Sequence, residues 1–504
     1  MPVALSYPGV YIEEVSSGVR TITGVATSIA LFIGWAARGP TDRAVRLTSF
    51  ADYERQFGGL DLRTLLPYAV KQFYDNGGAD AYIIRLAHTD AVAASVVNGD
   101  LNLTAAAVGA WANSHRVRLT PRSDDATRFK LEVLDHPTNE SVIESFENLS
   151  MNSTDARFVG SVVNDRSNIV DVTVSGATAP TPATVSLDGG TSTSTGADGT
   201  VLDPNSTTAA TAAAFHTAVL ALFGLGSLTD RIDLFNVVCV PGESDATTVS
   251  ALQTQCQRKR AFLIVDCTES ATVTSLNAAL PAAVVGASAP NSAFYFPWVR
   301  SPDPLREGAL RNFPPSGYVA GVFARTDSSR GVWKAPAGSD ASLNGATGLA
   351  ITMSDAENGQ LNPRGINCLR TLPVYGNVVW GSRTLHGDND RGSEWKYVPV
   401  RRMALFLEET LYRATQWVVF EPNDEPLWAQ IRLNIGAFMQ TLFRQGAFQG
   451  RTPREAYFVK CDRETTTQAD INLGIVNIIV GFAPLKPAEF VVIKLQQIAG
   501  DIPV

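Results

Sequence analysis

Both ends of this chain carry short, β-prone segments for which the neighbouring sequence offers no obvious strand partner. From Arg401 onward the pattern predicts two helices, two strands and then a final apolar segment, PAEFVVIKLQQI (487–498). The chain opens on SYPGVYIEEV (6–15), in which residues 10–15 favour a strand. An unpaired strand exposes a row of backbone donors and acceptors, which a second chain can satisfy by adding a strand of its own. Two such segments predict exchange of strands between copies of the protein.

The pairing is expected to involve apolar side chains in each terminal segment. These are Val10, Tyr11 and Ile12 near the N-terminus, and Phe490, Val491, Val492, Ile493 and Leu495 near the C-terminus. Pro8 biases Tyr7 to an extended backbone and Gly9 supplies a hinge, while Gly500 and Pro503 end the last segment. Extended segments behind hinges suit exchange between subunits. The alternative is that both segments are edge strands folded back on their own subunit.

Composition narrows the class of protein. A chain of 504 residues is expected to form two to four domains. The net charge of −8 argues against nucleic acid as the main partner. The first residues lack the features of a secretory signal, and the uncharged stretch between Arg20 and Arg38 is too rich in Thr, Ser and Gly for a membrane span. Five scattered cysteines without a CxxC pair indicate reduced thiols, so we expect assembly in the cytoplasm and no membrane insertion.

Strands and helices alternate in two blocks of the sequence, residues 21–89 and residues 231–370. In the first block the pattern predicts strands at 29–35 and 81–86 and helices at 50–57 and 65–74. In the second block it predicts helices at 245–258 and 273–280 between strands at 232–240, 261–266 and 294–299. Strands that alternate with helices at this spacing predict a parallel sheet.

The region between these blocks, residues 90–230, has a different character. Short strands rich in Val and Thr alternate with turn residues, at 116–121, 129–134 and 170–175. Neither Lys nor Arg occurs from Ser167 to Asp230, and part of that stretch has low complexity. The pattern predicts an inserted, mainly β domain that faces solvent. Partial disorder of this region is the alternative.

Residues 371–487 show the most regular pattern in the chain. A first helix is predicted from the stripe formed by Met403, Phe406, Leu407, Leu411, Ala414 and Trp417. A second helix is predicted to start at Asn423 or Asp424 and to end at Gly446. Strands are predicted at 457–462, at 471–482 and, in the terminal segment, at 490–495.

Six segments, in the same order, resemble the contractile tail-sheath proteins of myophages, R-type bacteriocins and phage-like contractile injection systems. They are YPGVYIEEV (7–15), PPSGYVAGVFARTDSSRGVWKAPAG (314–338), LNPRGIN (361–367), VWGSRTL (379–385), WKYVPVRRMALFLEETLYRATQWVVFEPN (395–423) and PAEFVVIKLQQI (487–498). The resemblance covers residues 1–90 and about 230–504. Residues 90–228 match no pattern of that family.

The resemblance implies a structural subunit that polymerises as stacked hexameric rings around an inner tube and contracts to drive the tube through a target envelope. Its implied fold class is α/β and multidomain. The implied parts are an N-terminal arm (1–20), the N-terminal part of the core α/β region (21–89), the outer β-rich insert (90–230), a subtilisin-like α/β middle domain (231–370), a C-terminal core domain facing the tube and completed by N-terminal residues (371–487), and a C-terminal arm (488–504). The implied partners are further copies of the chain, the tube protein, and baseplate and tail-terminator proteins.

A tube-facing surface is the second candidate site. Residues 398–463 carry a small net positive charge in a chain that is negative overall. Such a region would suit an inner face that meets an acidic tube, although a solvated, salt-bridged face would look the same. The candidates for tube contact flank the turn at residues 446–450 and are Arg444, Arg451 and Arg454.

A subtilisin-like sheet could carry the active site of a serine protease. A serine protease of that type needs an Asp, a His and a nucleophilic Ser. Asp266 ends a predicted strand, but the five histidines (88, 115, 136, 216 and 386) lie outside residues 231–370, and His216 is assigned to the insert. The chain also lacks a Walker-A stretch, an HExxH pair and an EF-hand loop. We therefore expect no enzymatic activity, cofactor or metal. A subtilisin-like hydrolase with self-assembling arms is the alternative, and a surface-layer protein or adhesin is a third.

Overall fold

The computed structural model describes residues 20–135, 140–187, 194–224, 226–279, 281 and 289–494. The chain divides into two compact units. The larger unit comprises residues 26–329 and 336–396, and the smaller comprises residues up to Val25, residues 330–335 and the chain from Tyr397 onward. Val10, Tyr11, Ile12 and Leu495, together with the strand predicted at 10–15, lie outside the described residues.

The N-terminal block of the larger unit follows the predicted order of elements. It consists of β1 (Ala30–Trp35), β2 (Val45–Leu47), α1 (Phe50–Phe57), α2 (Leu66–Asp75) and β3 (Ala81–Leu86). Helix α1 has the predicted bounds because local chemistry sets both ends. The Ser49 side chain accepts a hydrogen bond from the backbone N–H of Asp52, and Gly58 ends the helix with a φ of +93°.

The insert forms two small antiparallel sheets with an apolar core of their own, as predicted for a β-rich domain. Its elements are β4 (Ser95–Asn98), β5 (Leu101–Ala105), β6 (His115–Pro121), β7 (Arg128–Asp135), β8 (Val142–Ser150), α3 (Val159–Asn164), β9 (Val170–Val174) and β10 (Ala183–Ser186). One sheet has the order β10-β6-β7-β8 and the other β4-β5-β9. The buried residues of this core lie between Ala94 and Leu187.

The rest of the larger unit alternates helices with mainly parallel strands. Its elements are α4 (Ala209–Leu220), α5 (Leu228–Arg231), β11 (Val237–Cys239), α6 (Ala246–Arg258), β12 (Phe262–Asp266), α7 (Val273–Ala278), β13 (Ser292–Phe296), β14 (Val299–Asp303), β15 (Ala309–Phe313), α8 (Ser316–Arg330), β16 (Gly348–Leu349), α9 (Asp355–Leu361), β17 (Ile366–Leu372) and β18 (Gly376–Val379). Eight strands form one sheet in the order β18-β17-β13-β12-β11-β1-β3-β2. Its six inner strands are parallel and its two edge strands, β18 and β2, are antiparallel. The predicted parallel sheet is therefore confirmed.

This sheet changes two of the domain assignments made from sequence. Strand β1 pairs in parallel with β11 on one side and with β3 on the other, so residues 26–89 belong to the same sheet as the middle block. The insert is also shorter than 90–230, because Leu202, Phe215 and Val219 are buried in the core of the large sheet. The two ends of the insert meet where the backbone N–H of Thr200 donates to the Asp90 carboxylate over 2.9 Å. Its structural extent is about 91–199.

The smaller unit is built around two long helices. Its elements are α10 (Val398–Ala414), α11 (Glu425–Arg444), α12 (Pro453–Ala456), β19 (Tyr457–Lys460), α13 (Gln468–Asn472) and β20 (Ile479–Phe482). Asp424 caps α11 as predicted, by accepting a hydrogen bond from the backbone N–H of Leu427. The unit begins at Tyr397, so residues 371–396 belong to the larger unit and not to the C-terminal domain.

The strand predicted at 471–482 is wrong over most of its length. Residues 468–472 form helix α13, because Thr467 and Asp470 make a capping box at its start. Gly474, with a φ of +72°, follows the helix, and only Ile479–Phe482 pairs as a strand. The apolar residues of 471–480 therefore belong to a helix, a turn and a short strand, which single-sequence periodicity does not separate.

Candidate assembly surfaces

The C-terminal segment leaves the smaller unit as an extended chain with exposed apolar side chains. Its last attachment among the described residues is the Tyr397 hydroxyl, which donates to the Glu489 carboxylate over 3.3 Å. Beyond it, Phe490, Val491, Val492 and Ile493 are between 75% and 81% exposed. The strand predicted from residue 490 is not formed in the single chain. Four consecutive large apolar residues exposed to water form a candidate interaction surface.

The hairpin formed by β19 and β20 is a two-stranded sheet and the only sheet of the smaller unit in the described part of the chain. Phe458 pairs with Gly481 across the hairpin, and a Cβ on Gly481 would lie 2.2 Å from the Phe458 ring. A larger residue in place of Gly481 would therefore require the Phe458 ring to move. Phe458 and Ile479 are each about half exposed. A two-stranded sheet is marginally stable alone, so both edges of this hairpin are candidates for further strands.

The three candidate tube-binding arginines lie at one end of helix α11 and in the turn that follows. Arg444 is the last residue of the helix, Gly446 follows with a φ of +78°, and Arg451 and Arg454 lie on either side of the N-cap of α12. All three side chains are exposed. None of their guanidinium groups forms an ion pair with another described residue, so the positive charge stays available to a partner.

Asp266, the residue weighed as a catalytic aspartate, caps a helix. It lies at the carboxyl end of β12, and its carboxylate accepts hydrogen bonds from the backbone N–H and the hydroxyl of Ser316 at 2.8 and 2.7 Å. Ser316 is the first residue of α8, so the carboxylate meets the positive end of that helix. A third bond comes from the backbone N–H of Gly242 over 2.9 Å. Ser316 is thus bonded to an aspartate and not to a histidine.

His216 lies on helix α4 of the larger unit and not in the insert, to which the sequence analysis assigned it. Helix α4 packs on the large sheet, which brings His216 Nδ1 to 3.5 Å from the Asp245 carboxylate and His216 Nε2 to 4.0 Å from Glu243 Oε2. Glu243 is buried, and among the described residues neither its Oε2 atom nor His216 Nε2 has a hydrogen-bond partner. Burial raises the pKa of Glu243 to about 7. This group therefore makes the stability of the larger unit depend on pH.

We expect the larger unit to lose stability as pH rises from 5 to 8. The folded chain holds a proton on Glu243 up to about pH 7, whereas the unfolded chain releases it near pH 4.5, so the stabilisation is lost as pH rises through 7. Glu243→Gln cannot ionise, and at pH 8 it should be more stable than the natural chain by up to about 3 kcal/mol, at about 1.4 kcal/mol per pKa unit.

Urea denaturation at pH 5 and pH 8 measures both effects. At pH 5 the Gln variant should exceed the natural chain by less than about 1 kcal/mol. The exposed Glu54→Gln should match the natural chain at both pH values. A Glu243→Gln variant whose stability falls with pH as steeply as that of the natural chain would contradict the prediction.

The described residues offer no site with the chemistry of a metal centre. Their His, Cys, Asp and Glu side chains form no cluster of three or more that could hold a metal ion. The Asp388 carboxylate accepts a hydrogen bond from the backbone N–H of Arg391 over 2.9 Å and stabilises a turn.

Two family models match this chain. Residues 231–385 match the phage tail sheath protein central domain, and residues 390–498 match the phage tail sheath C-terminal domain. Together the two models cover more than half of the sequence. The chain belongs to the phage tail sheath protein family. The second match begins close to the start of the smaller unit at Tyr397.

Similar proteins carry the same description. A prophage major tail sheath protein of Pseudomonas aeruginosa is 27% identical over 279 residues, which is 53% of the sheath chain and 67% of that protein. The tail sheath protein of Vibrio phage KVP40 is 24% identical over 37% of the chain, and the match spans 27% of the phage protein. The tail sheath protein of Salmonella phage ViI is 26% identical over 32% of the chain and 24% of its own length.

Solved structures align with the sheath chain over nearly its whole length. The helical sheath of the anti-feeding prophage in its contracted state is 25% identical, with a TM-score of 0.59 over 98% of this chain and 100% of that one. A chain of the same particle's baseplate structure is also 25% identical, with a TM-score of 0.58 over 98% and 99%. The contracted sheath complex of the extracellular injection system PVC shares the fold, with a TM-score of 0.61 at 23% identity.

These findings establish the sheath chain as a structural subunit of contractile phage-like tails and injection particles, with a mixed α/β multidomain fold. In the described part of the chain, no helix combines the length and apolar character that a membrane crossing requires. Sequence reasoning missed the half-exposed Phe458 and Ile479 as candidate contacts. A usable signal was the run Tyr457, Phe458, Val459, because consecutive apolar residues place apolar side chains on both faces of a short strand.

Proposed function

We propose that the chain polymerises as stacked hexameric rings around an inner tube, and that contraction of the polymer drives the tube through a target envelope. The observation that carries the proposal is the row of exposed apolar residues in the C-terminal segment, Phe490–Ile493, in a unit that also contains a two-stranded sheet. Assembly takes place in the bacterial cytoplasm, and baseplate and tail-terminator proteins bind the two ends of the polymer. Electron microscopy of the purified chain tests this. Rings or helical tubes are expected, and stable monomers under all conditions would contradict it.

The terminal arms join the subunits by adding strands. The acceptor is the hairpin of β19 and β20, whose exposed Phe458 and Ile479 would be covered by arm residues of neighbouring copies. Backbone hydrogen bonds supply the affinity of such an added strand, and alternate side chains supply its register. The residues that pair in the N-terminal arm are Val10, Tyr11 and Ile12. Those that pair in the C-terminal arm are Phe490, Val491, Val492, Ile493 and Leu495.

The smaller unit faces the tube and binds it partly through Arg444, Arg451 and Arg454. Their exposure and the absence of an ion pair with described residues support the assignment. A charge pair at an exposed rim contributes only about 0.5 kcal/mol. Repeated around every ring, such pairs favour the extended polymer, yet each one is weak enough to break when the sheath contracts.

Charge reversal of Arg444, Arg451 and Arg454 to Glu should give sheaths that assemble without tubes or contract early. Because exposed pairs are screened over about 8 Å at physiological ionic strength, added salt should loosen natural sheath from tube in the same direction. Electron microscopy at low and high salt measures both effects. The matched control reverses Arg166, an exposed arginine of the insert that likewise forms no ion pair with a described residue. Extended, tube-filled particles from the triple variant at both salt concentrations would remove these residues from the interface.

The insert is peripheral, and assembly does not require it. Because Asp90 and Thr200 are hydrogen-bonded, a short Gly/Ser linker can replace residues 91–199 without strain. This variant should fold and form tubes. Replacing residues 90–228 should unfold the larger unit, since that change also removes Leu202, Phe215 and Val219 from its core. Circular dichroism and electron microscopy distinguish the two outcomes, and a folded 91–199 variant that never assembles would contradict a peripheral role.

The eight-stranded sheet is subtilisin-like in topology, and the protein has no hydrolase activity. The role of Asp266 as a helix cap supports this assignment, because its carboxylate is occupied by Ser316 and Gly242. Labelling with a fluorophosphonate probe tests it. Stoichiometric labelling of a serine in the folded chain would favour the alternative, a hydrolase with self-assembling arms.

A further inference from the structure

Residues 20–25, the N-terminal anchor, are bound at both ends to the two long helices of the smaller unit. The backbone N–H of Arg20 donates to Asn434 Oδ1 on α11 over 3.0 Å. The backbone N–H of Val25 donates to Thr410 Oγ1 on α10 over 3.3 Å. Asn434 and Thr410 are both buried, at 3% and 1% exposure. Each helix thus holds one end of a segment more than 380 residues away in the sequence.

The middle of the anchor lies against the ring of Phe406, so a larger residue in place of its glycine would require that ring to move. A Cβ on Gly24 would lie 2.8 Å from Cζ of Phe406, and Ile22 packs against the apolar core of the unit. The Arg20 guanidinium lies 4.5 Å above the ring of Trp417, a favourable cation–π distance. Backbone bonds, apolar contact and a cation–π pair therefore act together on one short segment.

Asn434 is a polar residue at a buried position, where it lowers stability unless its side chain is hydrogen-bonded. It lies in the buried stripe of α11 between Ile431 and Phe438, where an apolar residue would be the stable choice. Its Oδ1 atom accepts from Arg20, and its buried Nδ2 atom finds no hydrogen-bond partner in the described part of the chain. A buried amide with one unsatisfied group indicates selection for the bond that it does make.

We propose that the N-terminal anchor stays bound to its own subunit before and after contraction, and carries the pull that residues 1–19 receive from a neighbouring subunit. The proposal rests on the proposed function, in which those residues reach another copy. It adds that exchange between subunits stops at Arg20, because the next five residues are held by their own helices. Both hydrogen bonds are donated by backbone N–H groups of the anchor. The attachment of the anchor therefore depends more on its backbone conformation than on its side chains.

Hydrogen exchange followed by mass spectrometry tests the proposal on the natural chain. Peptides covering residues 20–25 are compared in the free protein, in extended sheaths and in contracted sheaths. We expect these backbone amides to be equally protected from exchange in all three states, because both of their hydrogen bonds lie within one subunit. Faster exchange of this segment after contraction would overturn the proposal, and this comparison needs no variant.

Two variants test whether the anchor carries load. Gly24→Val crowds the Phe406 ring and should weaken the packing of the segment, and the double variant Asn434→Ala with Thr410→Val removes both acceptors. Exchange over residues 20–25 should rise about tenfold, which corresponds to about 1.4 kcal/mol. Contracted sheaths of either variant should break into single rings or short stacks. Thr23→Val, an exposed change in the same segment, should behave like the natural chain.

Deleting residues 1–19 separates this proposal from the function on which it rests. If the deleted chain still forms continuous contracted sheaths, residues 1–19 do not join neighbouring subunits. If the deletion abolishes continuity while the fast-exchanging anchor variants still give continuous sheaths, the arm role stands and the anchor proposal falls. Fragmented sheaths from both would support the two together.

Discussion

Deleting residues 488–504 leaves a folded protein that no longer forms tubes. Phe490–Ile493 are largely exposed in the single chain, so their loss should change the free energy of unfolding by less than about 0.5 kcal/mol. Assembly loses the backbone bonds and the apolar contact of an added strand in every subunit. Electron microscopy and sedimentation measure the loss of tubes, and denaturant unfolding measures the unchanged fold.

A matched pair of substitutions isolates strand addition from apolar contact. Val492→Pro removes the backbone N–H that a strand must donate and should abolish tubes. Val492→Thr keeps that N–H and a β-branched side chain, and should still assemble. Normal polymerisation of the truncated chain or of the proline variant would show that the C-terminal segment does not join subunits by strand pairing.

Arg85→Met should lower the stability of the larger unit by at least about 3 kcal/mol. Arg85 is almost fully buried in β3, and its guanidinium donates to the carbonyl oxygens of Ala36, Gly39, Ala37 and Val108 at 2.7, 2.6, 3.2 and 2.9 Å. Burial lowers the pKa of Arg85 to about 10, which keeps it charged at neutral pH. Methionine fills the space but removes the guanidinium donors from all four carbonyls, of which Val108 keeps a bond from Trp111 Nε1 over 3.3 Å.

Arg46→Met is the control, because Arg46 lies on the adjacent strand β2 and forms an exposed pair with Asp80. That change should cost less than about 1 kcal/mol. Arg85→Lys keeps the charge, yet one ammonium cannot reach all four carbonyls, so it should fall between the two. The first unfolding transition in urea measures all three variants. Equal losses for Arg85→Met and Arg46→Met would show that the buried carbonyls find other donors.

The two predictions concern different scales of organisation. The first depends on side chains that the single chain leaves in water, and the second on a cation that it hides from water. The sequence shows that Phe490 is apolar and Arg85 is charged, but it does not show which of them is exposed to water. Only their exposure in the fold separates Phe490 from a core phenylalanine, or Arg85 from the surface Arg46.

Local chemistry was sufficient to predict several elements with nearly correct bounds. The cap at Ser49 and the glycine at 58 define α1, and Asp424 starts α11. Residues 81–86 form a strand where the pattern predicts one. These signals are readable because each depends on side chains within a few positions of the backbone group that they satisfy. The tail-sheath family was readable from sequence for a similar reason, since six short segments carry it independently of their packing.

Tertiary structure decided which of these elements share a core. The insertion of about 110 residues separates β3 from β11, yet both flank β1 in one sheet, and no local pattern encodes that order. Helix α4 is apolar on all sides, so periodicity could not show that Phe215 and Val219 pack on the large sheet with His216 beside Glu243. The bonds from Arg20 to Asn434 and from Val25 to Thr410 are equally invisible to a local reading. Contacts of this kind depend on the folded path of the whole chain, because a donor and its acceptor several hundred residues apart leave no periodic trace in the sequence between them.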